Sequence, residues 1–170
     1  MTRRHPELTH WPAGTAPVDA DVFSHNELVL AAPPSQVWPW LVDARGWPRW
    51  YRNARRVQLP PAERGLALGV TFTWTTFATP ISSKVVLDQP VHRLGWTWSC
   101  PGASGYHGWL LEPSGAGTRV VTEETQRGPK VARWAWVLPH VLWLGHAYWL
   151  HALARQVRRA GPGPVPGVTT

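Results

Sequence analysis

The chain has 170 residues, of which 44% are hydrophobic and 16% are charged. This length suits one domain with a substantial core, and this composition excludes an intrinsically disordered chain. The formal net charge is +7, but the basic residues form no long run, so we favour a solvated basic face over nucleic-acid binding.

Cysteine content and hydropathy indicate the cellular compartment in which the protein is expected. Cys100 is the only cysteine, which excludes an intramolecular disulfide and a cysteine zinc cluster. The N-terminus has no apolar segment of the kind that a secretory signal needs. Residues 131–154 are the most apolar stretch, but Arg133, Pro139 and three histidines interrupt it, so it lacks the run of about 20 apolar residues that spans a membrane. We therefore expect a cytoplasmic protein.

The two ends of the chain differ from the middle in composition. Residues 1–21 contain three prolines without a hydrophobic period, and we interpret them as an N-terminal extension, partly disordered or laid over the surface. Residues 161–170 read GPGPVPGVTT and predict a disordered tail. A single domain over residues 22–160 is expected between them.

The first half of this domain predicts one strand, two helices and a second strand. Residues 23–31 have strand composition. A helix then opens at a double proline, with Ser35 as its N-cap and apolar residues at helical spacing. A second short helix is predicted over residues 43–51, and a short strand over residues 54–60.

Five further strands follow, rich in β-branched and aromatic residues. They are predicted at residues 69–77, 81–88, 93–99, 106–112 and 118–126. Turn signals separate them, at Thr79-Pro80, Gln89-Pro90, Pro101-Gly102 and residues 114–117. Short connections between successive strands favour an antiparallel meander.

The C-terminal part predicts a long helix over residues 130–159, kinked at Pro139. Its apolar stripe consists of Trp134, Leu138, Leu142, Gly145, Trp149 and Leu153. Only the concave face of a twisted sheet is large enough to bury that stripe. The predicted fold is therefore α+β, a curved antiparallel sheet of six to seven strands around a long C-terminal helix, with two short helices after the first strand. A helix across a curved sheet fills the space unevenly, so we expect an apolar cavity.

Alternation along the strands predicts which side chains face this helix. The inward set is Phe72, Trp74, Thr76, Ile81, Ser83, Val85, Leu94, Trp96, Trp98, His107, Trp109, Leu111, Val120, Thr122 and Glu124. By the same count, Tyr106 points outward and Glu123 faces solvent.

The order and spacing of several segments resemble those of a known superfamily. The segments are APPSQVWPWLVDARGWPRWY, GVTFTWTTF, ISSKVVLDQPVHRLGWTWS, HGWLLEPSGAGTRVVTEETQRG and the helix ending HAYWLHALARQV, which together cover about residues 23–157. The chain resembles the SRPBCC superfamily of START-like, birch-pollen-allergen-like proteins, and within it the bacterial polyketide cyclase/dehydrase-like group. This resemblance implies a helix-grip fold with a ligand cavity. It leaves the chemistry open, since the superfamily includes lipid and hormone carriers, aromatase/cyclases and cochaperones.

Thirteen residues are predicted to bind the ligand. They are Trp50, Phe72, Trp74, Ser83, Trp96, Trp98, His107, Trp109, Thr122, Glu124, Leu138, Leu142 and Trp149. His107 and Glu124 are also the candidate catalytic residues, because an imidazole and a carboxylate on adjacent strands can form an acid–base pair. The alternative is a structural pair, or one that orients the polar end of a ligand.

Three functions remain open. The first is binding of a small hydrophobic or amphipathic ligand such as a lipid, polyketide or aromatic metabolite. The second is a cyclase, aromatase or dehydratase reaction that uses His107 and Glu124. The third is contact with a membrane interface through Trp134, Trp136 and Trp143, which we do not favour; those residues suit a dimer interface equally, so the chain is expected to be a monomer or a homodimer.

Neither a cofactor nor a metal site is predicted. The nucleotide-binding patterns GxGxxG and GxxxxGK[ST] are absent from the sequence. His140, His146 and His151 are six and five residues apart, so they do not all share one helix face, and we do not favour a metal site among them.

Overall fold

The structure is a computed structural model that describes residue 8 and residues 11–161. The predicted extension is therefore described only in part. Its residues 1–7 and 9–10, and residues 162–170 of the predicted tail, lie outside the described residues.

Within the described residues the chain forms seven strands and four α-helices. The strands are β1 (Val22–Leu30), β2 (Arg55–Gln58), β3 (Thr71–Thr76), β4 (Thr79–Gln89), β5 (Arg93–Cys100), β6 (Ala103–Ser114) and β7 (Gly117–Arg127). The helices are α1 (Pro34–Val42), α2 (Trp47–Trp50), α3 (Pro129–Arg133) and α4 (Leu138–Ala160). The strands form one antiparallel sheet in the order β1-β7-β6-β5-β4-β3-β2. This confirms the predicted α+β helix-grip fold.

The predicted inward face of the sheet is confirmed. Every member of the inward set is buried except Thr76, which is half-buried. The register explains how the set converges, because Trp96 pairs with Val85 on one side and with His107 on the other. His107 in turn pairs directly with Glu124. Residues opposite each other in an antiparallel pair project from the same face, so these side chains meet above the sheet.

The prediction for Glu123 is wrong, because the N-terminal segment covers the opposite face of the sheet. Glu123 is fully buried there, with Oε1 2.8 Å from His25 Nδ1, and the backbone N–H of Leu8 donates to its Oε2. Tyr106 does point outward, yet it is also buried, with its ring 5.4 Å from that of Trp11. The alternation of side chains along the strands placed Tyr106 and Glu123 on the correct face of the sheet. It could not show that residues of the N-terminal extension cover that face.

The long C-terminal helix is interrupted rather than kinked. Helix α3 ends at Arg133, a turn follows, and α4 begins at Leu138, so that Pro139 lies in the first turn of α4. Proline lacks an N–H and its ring collides with the carbonyl four residues earlier, which disfavours it inside a helix but not in the first turn. The interruption leaves Trp134 and Trp136 exposed, at 50% and 75% of their surface.

Helix α1 begins two residues earlier than an N-cap at Ser35 predicts, so that N-cap prediction is wrong. Pro33 occupies the N-cap position, and the N-cap makes no side-chain hydrogen bond. Ser35 lies inside the first turn. Pro34 fits the first helical position because its fixed φ matches the helix and the N–H it lacks would have no partner there.

The β3–β4 turn also differs from the prediction. Thr79 and Pro80 belong to β4, and the turn consists of Phe77 and Ala78, which have φ of 47° and 59°. A left-handed backbone conformation costs a residue other than glycine about 1–2 kcal/mol. Two contacts hold Phe77 in place: its N–H donates to Asn53 Oδ1 at 2.8 Å, and its ring packs on the bare backbone of Gly145, where a Cβ would lie 2.3 Å from Phe77 Cζ.

Candidate functional site

One end of the interior is a solid aromatic core. The indole of Trp47, carried by α2, lies with its ring centre 5.3 Å from Trp74, 5.7 Å from Trp96 and 5.2 Å from Trp149. Two of these three contacts are edge-to-face, an arrangement that the aromatic quadrupole favours. Helix α4 is therefore fixed to the sheet at this end by packed rings.

The other end contains a cavity of about 260 Å³ between the inner face of the sheet and helices α3 and α4. Aromatic and aliphatic side chains dominate its wall, with fewer polar groups among them. The lining residues are Tyr51, Trp74, Thr76, Phe77, Thr79, Ile81, Trp96, Trp98, Cys100, Ala103, His107, Glu124, Gln126, Lys130, Val131, Trp134, Leu138, Val141, Leu142, His146 and Trp149. A mostly apolar cavity with a few converging polar groups is typical of a small-molecule site.

The cavity opens to solvent beside the break between α3 and α4. Phe77, Trp134 and Val141 line the cavity and are also 37–50% exposed. Lys130 and Thr79 line it at the same end and are exposed as well. The break and the left-handed turn at Phe77 thus frame the entrance.

The buried side of the cavity carries a cluster formed by His107, Glu124, His146 and Gln126. His107 Nδ1 lies 3.2 Å from Glu124 Oε2, and His146 Nε2 lies 2.9 Å from the same oxygen. Gln126 Nε2 donates to Glu124 Oε1 at 2.7 Å. Because a carboxylate only accepts, both imidazoles and the amide donate to Glu124.

Two hydroxyl groups contact the ring nitrogens that face away from Glu124. Thr122 Oγ1 lies 2.7 Å from His107 Nε2, and Ser24 Oγ lies 3.4 Å from His146 Nδ1. With Nδ1–H of His107 donating to Glu124, its neutral ring accepts from the Thr122 hydroxyl at Nε2. Both ring nitrogens of His107 are therefore engaged.

These contacts govern the ionisation of the cluster. Burial raises the pKa of the Glu124 carboxyl, but the hydrogen bonds and charges of His107 and His146 outweigh burial and hold that pKa well below its usual range. Burial also lowers the pKa of His107, more strongly than the neighbouring carboxylate raises it. The cluster therefore presents a carboxylate and a neutral His107 to the cavity at neutral pH.

The phenol of Tyr51 adds a neutral polar group to the wall. Its ring stacks on Trp149, with centres 4.4 Å apart and an interplanar angle of 11°. Asn53 Nδ2 donates to the Tyr51 oxygen at 2.9 Å. Burial raises the pKa of Tyr51 above its usual value, so the phenol remains protonated.

Three indoles of the wall have N–H groups without an acceptor. Trp96, Trp98 and Trp149 line the cavity, and their Nε1 atoms are buried and find no hydrogen-bond partner in the described part of the chain. The Nε1 atom of Trp109, in the aromatic core, is likewise buried without a partner among the described residues, so this feature belongs to the packed rings and is not specific to the cavity.

The structure brings eight of the thirteen predicted ligand-binding residues to the cavity wall. They are Trp74, Trp96, Trp98, His107, Glu124, Leu138, Leu142 and Trp149. The other five lie outside the lining. Phe72 and Trp109 belong to the aromatic core, and Trp50 packs against that core half-buried. Ser83 accepts a hydrogen bond from Trp74 Nε1, and Thr122 contacts His107 from behind.

Sequence reasoning missed His146 as a member of the cluster. Spacing along one helix excludes a site made of helical histidines alone, but it does not test contacts between that helix and the sheet. A signal was present, since His146 follows Leu142 by four residues and precedes Trp149 by three, and both belong to the apolar stripe. Ligand atoms of His107, Glu124 and His146 all lie within 4.8 Å of one another, so these three residues could hold a metal ion.

Comparison with known families agrees with this architecture. Residues 25–165 match the family described as Polyketide cyclase / dehydrase and lipid transport. The chain belongs to this family. Membership confirms the resemblance seen in the sequence, and it agrees with a ligand-binding or cyclase role for the cavity. No curated protein matches the chain.

Solved structures of similar fold include proteins of known and unknown function. The hypothetical protein jhp0584 from Helicobacter pylori has a TM-score of 0.81 and 24% identity, with 92% of this chain and 100% of that chain covered. The Zhui aromatase/cyclase from Streptomyces sp. R1128 has a TM-score of 0.66 and 18% identity, with 82% and 98% covered. The protein TTHA0849 from Thermus thermophilus has a TM-score of 0.67 and 16% identity, with 82% and 99% covered. At these identities the likeness shows the fold.

Hydropathy of the helices bears on membrane insertion. Among the described residues, no helix is both long enough and apolar enough to span a membrane.

Proposed function

We propose that the chain binds one small, mostly apolar molecule in the cavity between α4 and the sheet, with a polar group of that molecule directed at the His107–Glu124–His146 cluster. The observation that carries this proposal is the wall itself: mostly apolar side chains line about 260 Å³ beside the buried His107–Glu124–His146 cluster. Burial of apolar surface supplies affinity in such a cavity, and the few polar groups supply orientation.

The polar groups of the wall define the chemistry that the ligand needs. Glu124 provides a carboxylate acceptor, and Tyr51 provides a protonated phenol. A molecule with an aromatic or aliphatic body and one or two hydroxyl or carbonyl groups matches both. Lipids, polyketides and aromatic metabolites are the classes with this composition.

An enzymatic cyclase or dehydratase reaction is the second candidate, and the contact between His107 and Glu124 at the cavity wall favours it. Such a reaction needs a ring nitrogen or a carboxylate oxygen that is free to take a proton from the substrate. Glu124 already holds three donors, and both nitrogens of His107 are engaged. The geometry therefore supports binding better than proton transfer.

Turnover of a poly-β-keto thioester distinguishes the two candidates. Conversion by the wild-type chain that is lost in Glu124→Gln, while ligand uptake persists, would favour the enzymatic reaction. Uptake without conversion would favour binding alone.

The cellular location and the oligomeric state of the protein rest on the sequence alone. Cytoplasmic location and a monomeric or homodimeric state remain predictions. Contact of Trp134, Trp136 and Trp143 with a membrane stays an alternative that we do not favour, and their exposure, 49% for Trp143, suits a second chain equally.

We expect a cavity-filling substitution to abolish uptake of an apolar probe. Ala103 lines the cavity, so the ring introduced by Ala103→Phe takes up the space that a ligand needs. The measurement is titration with N-phenyl-1-naphthylamine, a neutral fluorophore that brightens in apolar surroundings and is not repelled by Glu124. Ala103→Phe should weaken its binding by at least about tenfold, which corresponds to about 1.4 kcal/mol.

The matched control is Ala132→Phe, at an exposed position of α3 that does not line the cavity. It should bind the probe like the wild type. Thermal melting of both variants checks that overpacking has not unfolded the chain. Equal binding by the wild type and Ala103→Phe would show that the probe sits elsewhere and would contradict the proposal.

A further inference from the structure

The His107–Glu124–His146 cluster has the donor set of a metal site, and three secondary-structure elements build it. His107 comes from β6, Glu124 from the directly paired position of β7, and His146 from α4. All three side chains are buried, and all three line the cavity. Two imidazoles and one carboxylate form a common protein ligand set for divalent transition metals, whose remaining position takes water or a ligand.

The distances suit metal coordination after small shifts. A tetrahedral ion with bonds of about 2.0–2.1 Å separates its ligand atoms by about 3.4 Å. His107 Nδ1 and His146 Nε2 lie 3.2 Å and 2.9 Å from Glu124 Oε2, and the three ligand atoms all lie within 4.8 Å of one another. To hold the ion, the two separations from Glu124 Oε2 would lengthen by a few tenths of an ångström, and the separation between the two imidazole nitrogens, which is within 4.8 Å, would adjust to about 3.4 Å.

The groups behind the cluster suit the metal-bound state as well as the metal-free one. Gln126 holds Oε1 of Glu124 and so leaves Oε2 for the ion. Thr122 and Ser24 contact the ring nitrogens that would carry the protons once the ion is bound, and a hydroxyl can accept as readily as it donates. Each imidazole would only move its proton to the other nitrogen, where a neighbour that fixes the ring is already present.

We propose that His107, Glu124 and His146 bind one divalent first-row transition-metal ion, of which Zn²⁺ is the representative, with its open coordination position facing the cavity. Metal binding itself does not depend on the proposed uptake of an organic molecule. Use of the ion to hold an oxygen of that molecule would rest on the proposed function.

Metal stoichiometry and Co²⁺ absorption test this site. The full chain is stripped with EDTA, loaded with Zn²⁺ or Co²⁺ and desalted, and the metal per chain is measured by mass spectrometry. We expect one Zn²⁺ per chain and the visible absorption of a four- or five-coordinate Co²⁺ site. His146→Gln and Glu124→Gln should weaken binding by at least about tenfold, since loss of even a supporting group has that effect. His140→Gln, which removes an exposed histidine of the same helix, should bind like the wild type.

A second measurement needs no substitution and so does not depend on whether the variants fold. It follows the ¹⁵N resonances of the histidine rings in the wild-type chain during addition of Zn²⁺. Zn²⁺ should shift the ring nitrogens of His107 and His146 and leave those of the exposed His140 and His151 unchanged. Retention of almost no Zn²⁺, equal binding by His146→Gln, or shifts at exposed histidines alone would overturn the proposal. A chain that takes up the fluorophore but no metal contradicts this inference only, and one that takes up metal but no fluorophore contradicts only the proposed function.

Discussion

Replacing Trp149 with alanine is expected to lower the free energy of unfolding by about 3–5 kcal/mol, the range for removal of a large buried aromatic side chain. Trp149 is 2% exposed and stands where α4 meets the sheet. Its indole stacks on Tyr51 and lies edge-to-face against Trp47 and Trp109. The rigid rings around the vacated space cannot collapse into it, so the free-energy cost of the remaining cavity adds to the cost of the lost apolar burial.

Chemical denaturation monitored by circular dichroism measures this effect. The matched control is Trp136→Ala, because Trp136 lies in the exposed turn before α4 and its truncation should change stability by no more than about 0.5 kcal/mol. Similar losses in the two variants would mean that Trp149 does not fix α4 to the sheet.

Replacing Glu124 with alanine is expected to lower the free energy of unfolding by about 3–5 kcal/mol, even though the carboxylate itself carries a desolvation penalty. The substitution removes the acceptor of His107 Nδ1, His146 Nε2 and the Gln126 amide, and so leaves buried donors without a partner. The same denaturation experiment measures the loss, with EDTA present so that no metal contributes.

Glu112→Ala is the control for Glu124→Ala. Glu112 is also a carboxylate of the sheet and is paired with Arg119, but its side chain is 48% exposed. Exposed pairs contribute about 0–1 kcal/mol, so this variant should remain close to the wild type. A Glu124→Ala loss no larger than that of Glu112→Ala would show that the cluster is solvated and that its contacts do not hold α4.

The sheet and its inner face could be predicted from the sequence because both follow from local rules. Period-two alternation placed Trp74, Trp96 and Glu124 on one face, and the structure places them there. Short connections with turn residues such as Pro101-Gly102 predicted an antiparallel meander, and β5 and β6 do meet at those two residues. The wall of the cavity on the sheet side was therefore largely predictable.

The differences arise where distant segments meet. Glu123 was expected in solvent, and the N-terminal segment buries it. Helical spacing relative to Leu142 and Trp149 indicated the buried face for His146, but it could not reveal the contact with Glu124 across 22 residues of sequence. The turn at Phe77 adopts a backbone that local preference disfavours, and it is held by Asn53 and Gly145 from other elements.

The central claim is that a guest molecule occupies the space between α4 and the sheet, and the indole N–H resonances report on it most directly. The measurement is a ¹H–¹⁵N correlation spectrum of the thirteen indoles during titration with N-phenyl-1-naphthylamine. The account predicts shifts at Trp98 and Trp149, which line the cavity, and none at Trp11 and Trp136, which do not. Shifts confined to Trp11 and Trp136, with those of Trp98 and Trp149 unchanged at saturation, would contradict it.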